Sequence, residues 1–335
     1  MSIVMTGGGT GGHLAIVRAV KEYLKEENLV YIGSMQGQDR AWFENDEDFN
    51  FKYFLKTRGV VNQGLVGKII SLFKIIGAVF EVRRLLKKHE AKVVFSVGGF
   101  SAAPAAIAAK LSGIPLVIHE QNAALGSLNK ILKPYADVFI SSYLPESPVK
   151  AYPVKQVFFG NARVRSAIKT VIFLGGSQGA KAINELALKL APTLKAKEIR
   201  IIHQSGEKHI EAVQNAYQSI GIEAEVFGFT TKLAEYMKEA DFAVARAGAS
   251  TLWELSATAL PTLFIPYPYA ASDHQYYNAK FLADQNLAWV IREEMIDTDE
   301  VIKLLDKNME NISKGLIQVV EKNGSKQIAD ILKNI

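Results

Sequence analysis

Short apolar runs alternate with longer stretches of helical periodicity along almost the whole chain. Runs of four to six apolar residues without polar alternation mark strands buried on both faces, as in parallel sheets. In the first half such runs predict strands near 2–6, 28–32, 92–97, 115–119 and 137–141. Helical patterns lie between them, at about 14–26, 65–88, 103–112 and 125–132. A second series opens at Thr170–Leu174 and continues through 199–203, 224–227, 242–245, 262–265 and 288–291. Strands alternating with helices imply parallel sheets with helices on both faces.

Each series opens with the same device, a strand feeding a glycine loop and then a helix. The first is Thr6-Gly7-Gly8-Gly9-Thr10-Gly11-Gly12-His13, entered from the strand Ile3–Met5. The second is Gly175-Gly176-Ser177-Gln178-Gly179-Ala180. Lacking β-carbons, such loops let the backbone turn sharply and approach a ligand. The helix N-terminus that follows offers free N–H groups and a positive dipole end to a phosphate. Two Rossmann-like halves are therefore expected, residues 1–157 and 158–321, with Pro145, Pro148 and Pro153 breaking regular structure near the join. A last helical stretch at 322–335 has the length to cross back onto the first half. Ligands of such sheets sit beyond the carboxyl ends of the strands, so a cleft between the halves is the expected site.

The first loop also fits G-x-G-x-x-G. A dinucleotide site needs an acidic residue closing the second strand, to hold a ribose. Here Leu29–Ile32 runs into Gly33-Ser34, and the first acid is Asp39. That disfavours a nicotinamide oxidoreductase.

Composition narrows the class. The 335 residues contain no cysteine, which excludes disulfides and thiolate metal sites. The N-terminus enters a strand without a basic leader, and no apolar run reaches the ~18 residues that span a bilayer. A cytoplasmic protein is expected. The net charge of +5 is uneven: nine Lys/Arg face Glu81 and Glu90 between Lys56 and Lys92, a local +7 that leaves −2 for the remainder. Within that region Leu65, Val66, Ile69, Leu72, Phe73, Ile76 and Phe80 form one apolar helical face, extended by Ile70, Ile75 and Val79. Lys68 and Lys74 interrupt it, and Arg83, Arg84, Lys87 and Lys88 follow. Such a surface suits an anionic membrane face, with Leu65, Lys68, Ile69, Leu72, Phe73 and Ile76 as contacts. The alternative is a helix buried all round with solvated cations. Nucleic acid is not the expected partner.

Four further constellations stand at strand ends. Gly98-Gly99 repeats the glycine turn after 92–97 and serves either an anion or tight strand–helix packing. His119-Glu120-Gln121-Asn122 puts four polar side chains in a row at a sheet edge, costly unless they meet a polar ligand or each other. Arg246-Ala247-Gly248-Ala249-Ser250-Thr251 precedes a helix carrying Glu254, a helix N-terminus for diphosphate with a carboxylate near for ribose hydroxyls. Pro266-Tyr267-Pro268 leads into Asp273-His274-Gln275 and Asn278-Ala279, where the Gln275 amide suits sugar hydroxyls. Asp46-Glu47-Asp48 spells D-x-D but lies in an acidic loop away from the second series, and it reads as solvated surface.

Taken in order, TGGGTGGH at 6–13, SVGGFSAAP at 96–104, HEQN at 119–122, GGSQGA at 175–180, HQSG at 203–206, RAGAST with Glu254, and the stretch 266–279 resemble the MurG family. These are UDP-N-acetylglucosamine:lipid I transferases, which make lipid II for peptidoglycan. The resemblance covers nearly the whole chain. It implies an α/β protein of the GT-B class, two Rossmann-like doubly wound parallel-sheet domains facing across a cleft. It further implies an inverting enzyme that moves GlcNAc from UDP-GlcNAc to the MurNAc C4 hydroxyl of lipid I, peripheral to the cytoplasmic face of the cell membrane. No cofactor and no tightly bound metal are implied, and proteins of cell-wall synthesis become candidate partners.

Carried over by position, Glu254 holds the uridine ribose, Ser177 and Gln178 meet uridine or its phosphates, and the backbone at Thr230 faces uracil. Ala249, Ser250 and Thr251 meet diphosphate, with Thr10, Gly11 and Gly12 also on the donor side. Gln275 and Asn122 hold the GlcNAc. Gly8, Gly9, Gly98 and Gly99 are expected to cradle the acceptor pyrophosphate. His13 is the candidate general base, or else a ring that pins its loop, and Glu120 is the fallback base. The family's G-N-P-V-R reads here Gly160-Asn161-Ala162-Arg163-Val164-Arg165, which leaves open whether Arg163 or Arg165 meets the nucleotide. Two other readings use the same architecture: a UDP-GlcNAc 2-epimerase-type isomerase, and a sugar-nucleotide-binding subunit without catalysis.

Overall fold

The computed structural model of the chain describes residues 1–56, 65–176 and 178–335, with side chains from Lys74 onward in the helix that begins at Leu65. It divides into two compact units, Met1–Lys155 with Glu321–Ile335, and Gln156–Val320.

In the first unit the strands are β1 (Ser2–Thr6), β2 (Leu29–Ser34), β3 (Phe51–Leu55), β4 (Ala91–Ser96), β5 (Leu116–Glu120) and β6 (Val138–Ser141). They form one sheet in the order β3-β2-β1-β4-β5-β6, and every pair is parallel. β1, β2 and β5 are buried at every position, which explains their unbroken apolar runs. One sheet face carries Val4, Val30, Val94 and Ile118 against Ala105 and Ala109 of helix Ala103–Leu111, and against Val79, Val82 and Leu86 of helix Leu65–Lys88. Ile76 and Phe80 of that same helix stay 44% and 57% exposed, so its described part is not buried all round.

β3 is absent from the expected strands. It lies at the sheet edge with only Leu55 buried, and an edge strand carries little of the apolar signal by which a central one is recognised. The acidic loop before it also needs correction. Asp46 and Asp48 both pair with Lys21, whose side chain is only 6% exposed. Asp46 is therefore a partly buried counterion for the end of the first helix rather than solvated surface.

The second unit repeats the plan with β7 (Thr170–Leu174), β8 (Arg200–Gln204), β9 (Glu225–Phe227), β10 (Phe242–Ala245), β11 (Thr262–Phe264) and β12 (Trp289–Val290). The order is β12-β11-β10-β7-β8-β9, again all parallel. Its core packs Val171, Phe173, Ile201, Phe242, Val244 and Leu263 against Ile183, Leu186 and Leu190 of helix Lys181–Ala196 and against Val301 and Leu305. Each sheet reverses its winding once, between β1 and β4 and between β7 and β10. A crevice at the carboxyl ends of those strand pairs is where such sheets bind ligands.

The last helix, Gly324–Asn334, belongs to the first unit. It packs on helix Gly11–Lys21, accepts Lys92 Nζ at the Lys333 carbonyl (2.8 Å), and donates from Ser325 Oγ to the Val154 carbonyl (3.2 Å). Its start is tight: a β-carbon on Gly324 would stand 2.3 Å from the Ala151 carbonyl oxygen. Gly324→Ala should therefore force a backbone shift costing about 1–3 kcal/mol. Urea unfolding should show the loss, with earlier tryptic cleavage at Lys322 and Lys326. An unchanged midpoint and cleavage pattern would show that the contact yields freely.

Candidate functional site

In the first unit the two glycine turns flank the switch point and press on each other. The Gly8 amide donates to the Gly98 carbonyl (3.3 Å), and a β-carbon on Gly99 would lie 2.3 Å from the Gly8 oxygen. From below, Asp39, fully buried, accepts the Gly9 amide at 2.7 Å. The Ser34 amide (3.1 Å) and the Tyr31 hydroxyl (3.1 Å) satisfy its other oxygen. Burial and the Asp39 charge push the Tyr31 phenol far above its usual range, so it stays a donor. The Gly98 amide turns back to Ser96 Oγ (3.3 Å).

These bonds correct one expectation. The amides of Gly8, Gly9 and Gly98 are engaged inside the protein, which removes them from a pyrophosphate cradle, and Gly99 is where the backbones pack. The helix Gly11–Lys21 begins directly afterwards, so Gly11, Gly12 and His13 form the N-terminus that faces outward. Asp39 was the acid judged too late for a ribose. Its inward position gives it a different task, and its tightness under Gly8 and Gly9 was not foreseen.

His13 stands one turn into that helix. Its Nδ1 lies 2.9 Å from Thr10 Oγ1, and Gln121 Nε2 lies 3.1 Å from its Nε2 and 3.4 Å from its Nδ1. The polar row at the end of β5 splits by direction. His119 is buried, its ring edge-on to Tyr152 with 5.5 Å between centroids, and neither ring nitrogen has a hydrogen-bond partner among the described residues. Burial first, then the charge of His13, lower its pKa to about 3, which keeps it neutral. Glu120 is 2% exposed and accepts from the amides of Asn122 and Gly126 and from Asn129 Nδ2, each at 2.9 Å. Three donors on one carboxylate make it the organiser of the 121–126 loop. This corrects its place as fallback base. Asn122 follows in that loop, its own amide fixed by Glu120.

In the second unit the loops after β7 and β8 interlock, since a β-carbon on Gly206 would lie 2.3 Å from the Gly179 amide. Gln178 is exposed at the tip, and Ser177 lies outside the described residues. Helix Ala249–Ala257 starts from Gly248 at the end of β10, with Ala249 buried and Ser250, Thr251 and Glu254 half-buried on its opening turns. The Gln275 side-chain oxygen accepts the Tyr267 amide at 3.0 Å. Thr230 stands beyond β9, at the opposite edge of the sheet from β11 and β12.

Arg246, quoted in a motif but given no role, joins these loops. It donates to the carbonyls of Ile265 (3.1 Å) and Pro266 (3.0 Å), pairs with Glu293 at 2.5 Å, and lies over the Tyr267 ring. Ser272 and Asp273 both adopt left-handed backbone (φ 53° and 52°) just before helix His274–Ala283, a conformation costly for side-chain-bearing residues. The Arg292 guanidinium, 2.7 Å from Asp273 and stacked 4.0 Å over Tyr276, holds that turn.

The two candidate nucleotide arginines lie elsewhere. Arg165 is 1% exposed and donates to the carbonyls of Met237, Ala240, Thr258, Ala259 and Arg163. Arg163 donates to the carbonyls of Lys238, Glu239 and Ala240 and pairs with Asp241 at 2.7 Å. These carbonyls end helices Leu233–Glu239 and Ala249–Ala257, so both arginines sit at the amino edge of the sheet. The glycine loops are at the carboxyl edge, a nine-residue helix away, about 13 Å. Both assignments to the nucleotide are therefore corrected. The residues instead tie off helix C-termini, where cations complement the dipole. His203 of HQSG is likewise internal, between Tyr217 Oη and Asn184 Oδ1 (3.0 Å each), and burial lowers its pKa to about 4.

Two parallel Rossmann units, each with its glycine loop and helix N-terminus at the switch point, give this chain the architecture of the GT-B class. It belongs to glycosyltransferase family 28: the N-terminal domain of that family matches residues 3–140 and the C-terminal domain 170–335. A relative from Sulfurovum sp. (strain NBC37-1) is 70% identical over 334 residues, covering 100% of this chain and 99% of its own. It is named UDP-N-acetylglucosamine--N-acetylmuramyl-(pentapeptide) pyrophosphoryl-undecaprenol N-acetylglucosamine transferase. A Wolinella succinogenes protein of the same name is 50% identical over 99% of both chains. Among solved structures, Acinetobacter baumannii MurG superposes with a TM-score of 0.81 at 28% identity, covering 100% of this chain and 99% of that one. A UDP-GlcNAc 2-epimerase from Neisseria meningitidis reaches 0.63 at 12% identity with full coverage of both chains, which is a likeness of fold alone.

The arginine assignment is open to direct test. Arg165→Lys supplies three donors where five carbonyls are now served, and should destabilise the protein by about 3 kcal/mol. Affinity for UDP, measured by calorimetry below the melting transition, should stay within twofold of wild type. A tenfold loss of UDP affinity at unchanged stability would return the residue to the nucleotide.

Proposed function

We propose that this chain transfers GlcNAc from UDP-GlcNAc to the C4 hydroxyl of the MurNAc in undecaprenyl-pyrophosphoryl-MurNAc-pentapeptide, with inversion at the anomeric carbon. The observation that carries it is 70% identity, end to end, with a transferase of that name. The same motifs stand at the carboxyl edges of both sheets.

In the reaction the acceptor O4 forms a bond to C1 of the sugar while the C1–O bond to UDP breaks. His13 takes the O4 proton, and the electron pair leaves on the diphosphate. The N-terminus of helix Ala249–Ala257 meets that diphosphate through Ala249, Ser250 and Thr251, where charge arriving on UDP meets fixed dipoles. Glu254 accepts from the ribose hydroxyls, Ser177, Gln178 and the Thr230 backbone meet the rest of the nucleotide, and Gln275 with Asn122 holds the sugar. Thr10, Gly11 and Gly12, at the start of helix Gly11–Lys21, belong to the donor side as well.

The acceptor is a lipid, and the first unit carries a surface suited to one. Ile76, Phe80 and Leu111 are exposed there. Beside them a surface cavity of about 620 Å³ is lined by Phe80, Arg83, Arg84, Lys87 and Ser112. Of the predicted contacts only Ile76 has a described side chain; those of Leu65, Lys68, Ile69, Leu72 and Phe73 lie outside the described residues. Apolar side chains among cations suit the headgroup boundary of an anionic membrane on the cytoplasmic side, and no helix among the described residues is long and apolar enough to cross it.

Incubation with UDP-GlcNAc and a soluble lipid I analogue should release UDP and give a β-1,4-linked disaccharide. Conversion of UDP-GlcNAc alone to its manno epimer would instead establish the isomerase. His13→Ala should lower kcat by about 10²–10⁴ with UDP affinity unchanged; a loss under tenfold with an unaltered pH profile would leave the ring a purely structural part. For the membrane, reversing Arg83, Arg84 and Lys87 to Glu should reduce co-sedimentation with anionic vesicles more than tenfold, at about 1 kcal/mol per cation. Turnover of the soluble acceptor should persist. Undiminished vesicle binding would remove this surface from the account.

A further inference from the structure

The segment that joins β11 to helix His274–Ala283 carries Gln275, and two consecutive residues after β12 hold it at both ends. Arg292 takes the far end. Its guanidinium stands 2.7 Å from Asp273 and 4.0 Å over the ring of Tyr276, two residues before and one after Gln275. Glu293 takes the near end through Arg246, which it meets at 2.5 Å. Arg246 in turn donates to the carbonyls of Ile265 and Pro266 and faces the Tyr267 ring. The segment then closes on itself, because the Tyr267 amide donates to Gln275 Oε1 at 3.0 Å.

That last bond fixes the direction of the Gln275 amide. A backbone N–H can only donate, so the end that meets it is the oxygen, and the nitrogen is the end left for a ligand. The bond lasts only while position 275 stays opposite Tyr267. Its place is decided by the turn just before the helix, where Ser272 and Asp273 are both left-handed (φ 53° and 52°). Residues with a β-carbon leave that conformation readily unless their surroundings hold them in it. Asp273 is held through its carboxylate, and Arg292 is the cation that meets it. The pair is about a third exposed, 36% on one side and 32% on the other, so solvent screening limits what charge alone contributes. The ring under the guanidinium adds to it and restricts the arginine to one geometry.

We infer that Arg292 is a positioning residue for the donor sugar. By holding the left-handed turn at Ser272 and Asp273 it keeps Gln275 braced on Tyr267, with the amide nitrogen presented to a hydroxyl of the GlcNAc. The inference rests on the reading of Gln275 as the sugar-binding residue. Arg292 acts through Gln275 and not on the nucleotide, which other elements of the unit receive: helix Ala249–Ala257 for the diphosphate and Glu254 for the ribose. Loss of the brace therefore falls on the sugar alone. Arg246 is a poorer probe of the same idea, since it adjoins the start of the diphosphate helix.

Calorimetry with UDP and with UDP-GlcNAc separates the two parts of the donor. Gln275→Ala should lower affinity for UDP-GlcNAc about three- to tenfold, the worth of one hydrogen bond, while affinity for UDP stays within twofold. Arg292→Gln keeps a polar side chain without the charge or the planar guanidinium, and it should reproduce that pattern. KM for UDP-GlcNAc should rise by the same factor, with KM for a soluble lipid I analogue unchanged. Adding Arg292→Gln to Gln275→Ala should bring less than a further twofold loss, because both changes remove one interaction. A merely structural arginine would instead weaken UDP and UDP-GlcNAc alike. That result, or losses that multiply in the double variant, or wild-type binding in Arg292→Gln while Gln275→Ala still loses the sugar, would overturn the role of Arg292 and leave Gln275 in place. If Gln275→Ala itself binds UDP-GlcNAc as wild type does, the sugar reading falls, and this inference with it.

Discussion

The first unit depends on a carboxylate under a glycine. Asp39 accepts the Gly9 amide from below while Gly98 accepts the Gly8 amide from the side, and the turn has no freedom left between them. That packing leaves no room for a β-carbon at Gly8, which would stand 2.4 Å from an Asp39 oxygen, or at Gly99. Glycine is required at both by backbone approach as much as by φ. With the turn fixed, helix Gly11–Lys21 starts at one place, and His13 is delivered to the end of β5. A loop of five glycines is usually taken as adaptable; here it is rigid, and its rigidity is what sets the position of a side chain beyond it.

The second unit meets the same requirement by another route. Its loops interlock at Gly179 and Gly206, but the far side, where the sugar-binding Gln275 is expected, is held by two arginines, Arg246 and Arg292. Each combines an ion pair with a tyrosine ring facing the guanidinium, at 4.0 Å for Arg292 and 5.6 Å for Arg246, a pairing that a planar guanidinium serves better than an ammonium. Arg292 stabilises two consecutive left-handed residues, so local strain is retained beside the site and offset by charge. Arg163 and Arg165 perform the same kind of service at the opposite edge. Four arginines of one unit are thus engaged in holding backbone, and a motif position, which left Arg163 and Arg165 both open for the nucleotide, carries no sign of that work.

Much of this was legible in the sequence, and what was not follows a pattern. Central strands, the two glycine turns and the helices that follow them announce themselves because their signal is local: unbroken apolar runs, then glycine, then helical period. β3 did not, because an edge strand is shielded on fewer sides and its alternation is diluted. Lys21 with Asp46, Arg165 with five carbonyls, and Glu120 with Asn129 were invisible for another reason. Each is a bond between segments far apart in the chain, except that of Glu120, where the direction of one side chain was unknown. Residue type at a strand end predicts that a polar group has work there; only the fold says whether it points to the ligand or to the loop.

That distinction decides what the row His119–Asn122 does. Four polar side chains at one strand end, three of them buried, would cost several kcal/mol if left unpaired. Glu120 escapes by serving three donors. His119 escapes ionisation, held neutral with its ring against Tyr152. Gln121 sets its amide nitrogen against the ring of His13, 3.1 Å from Nε2, so of the three buried side chains it is the one that turns toward the glycine loop rather than back into its own.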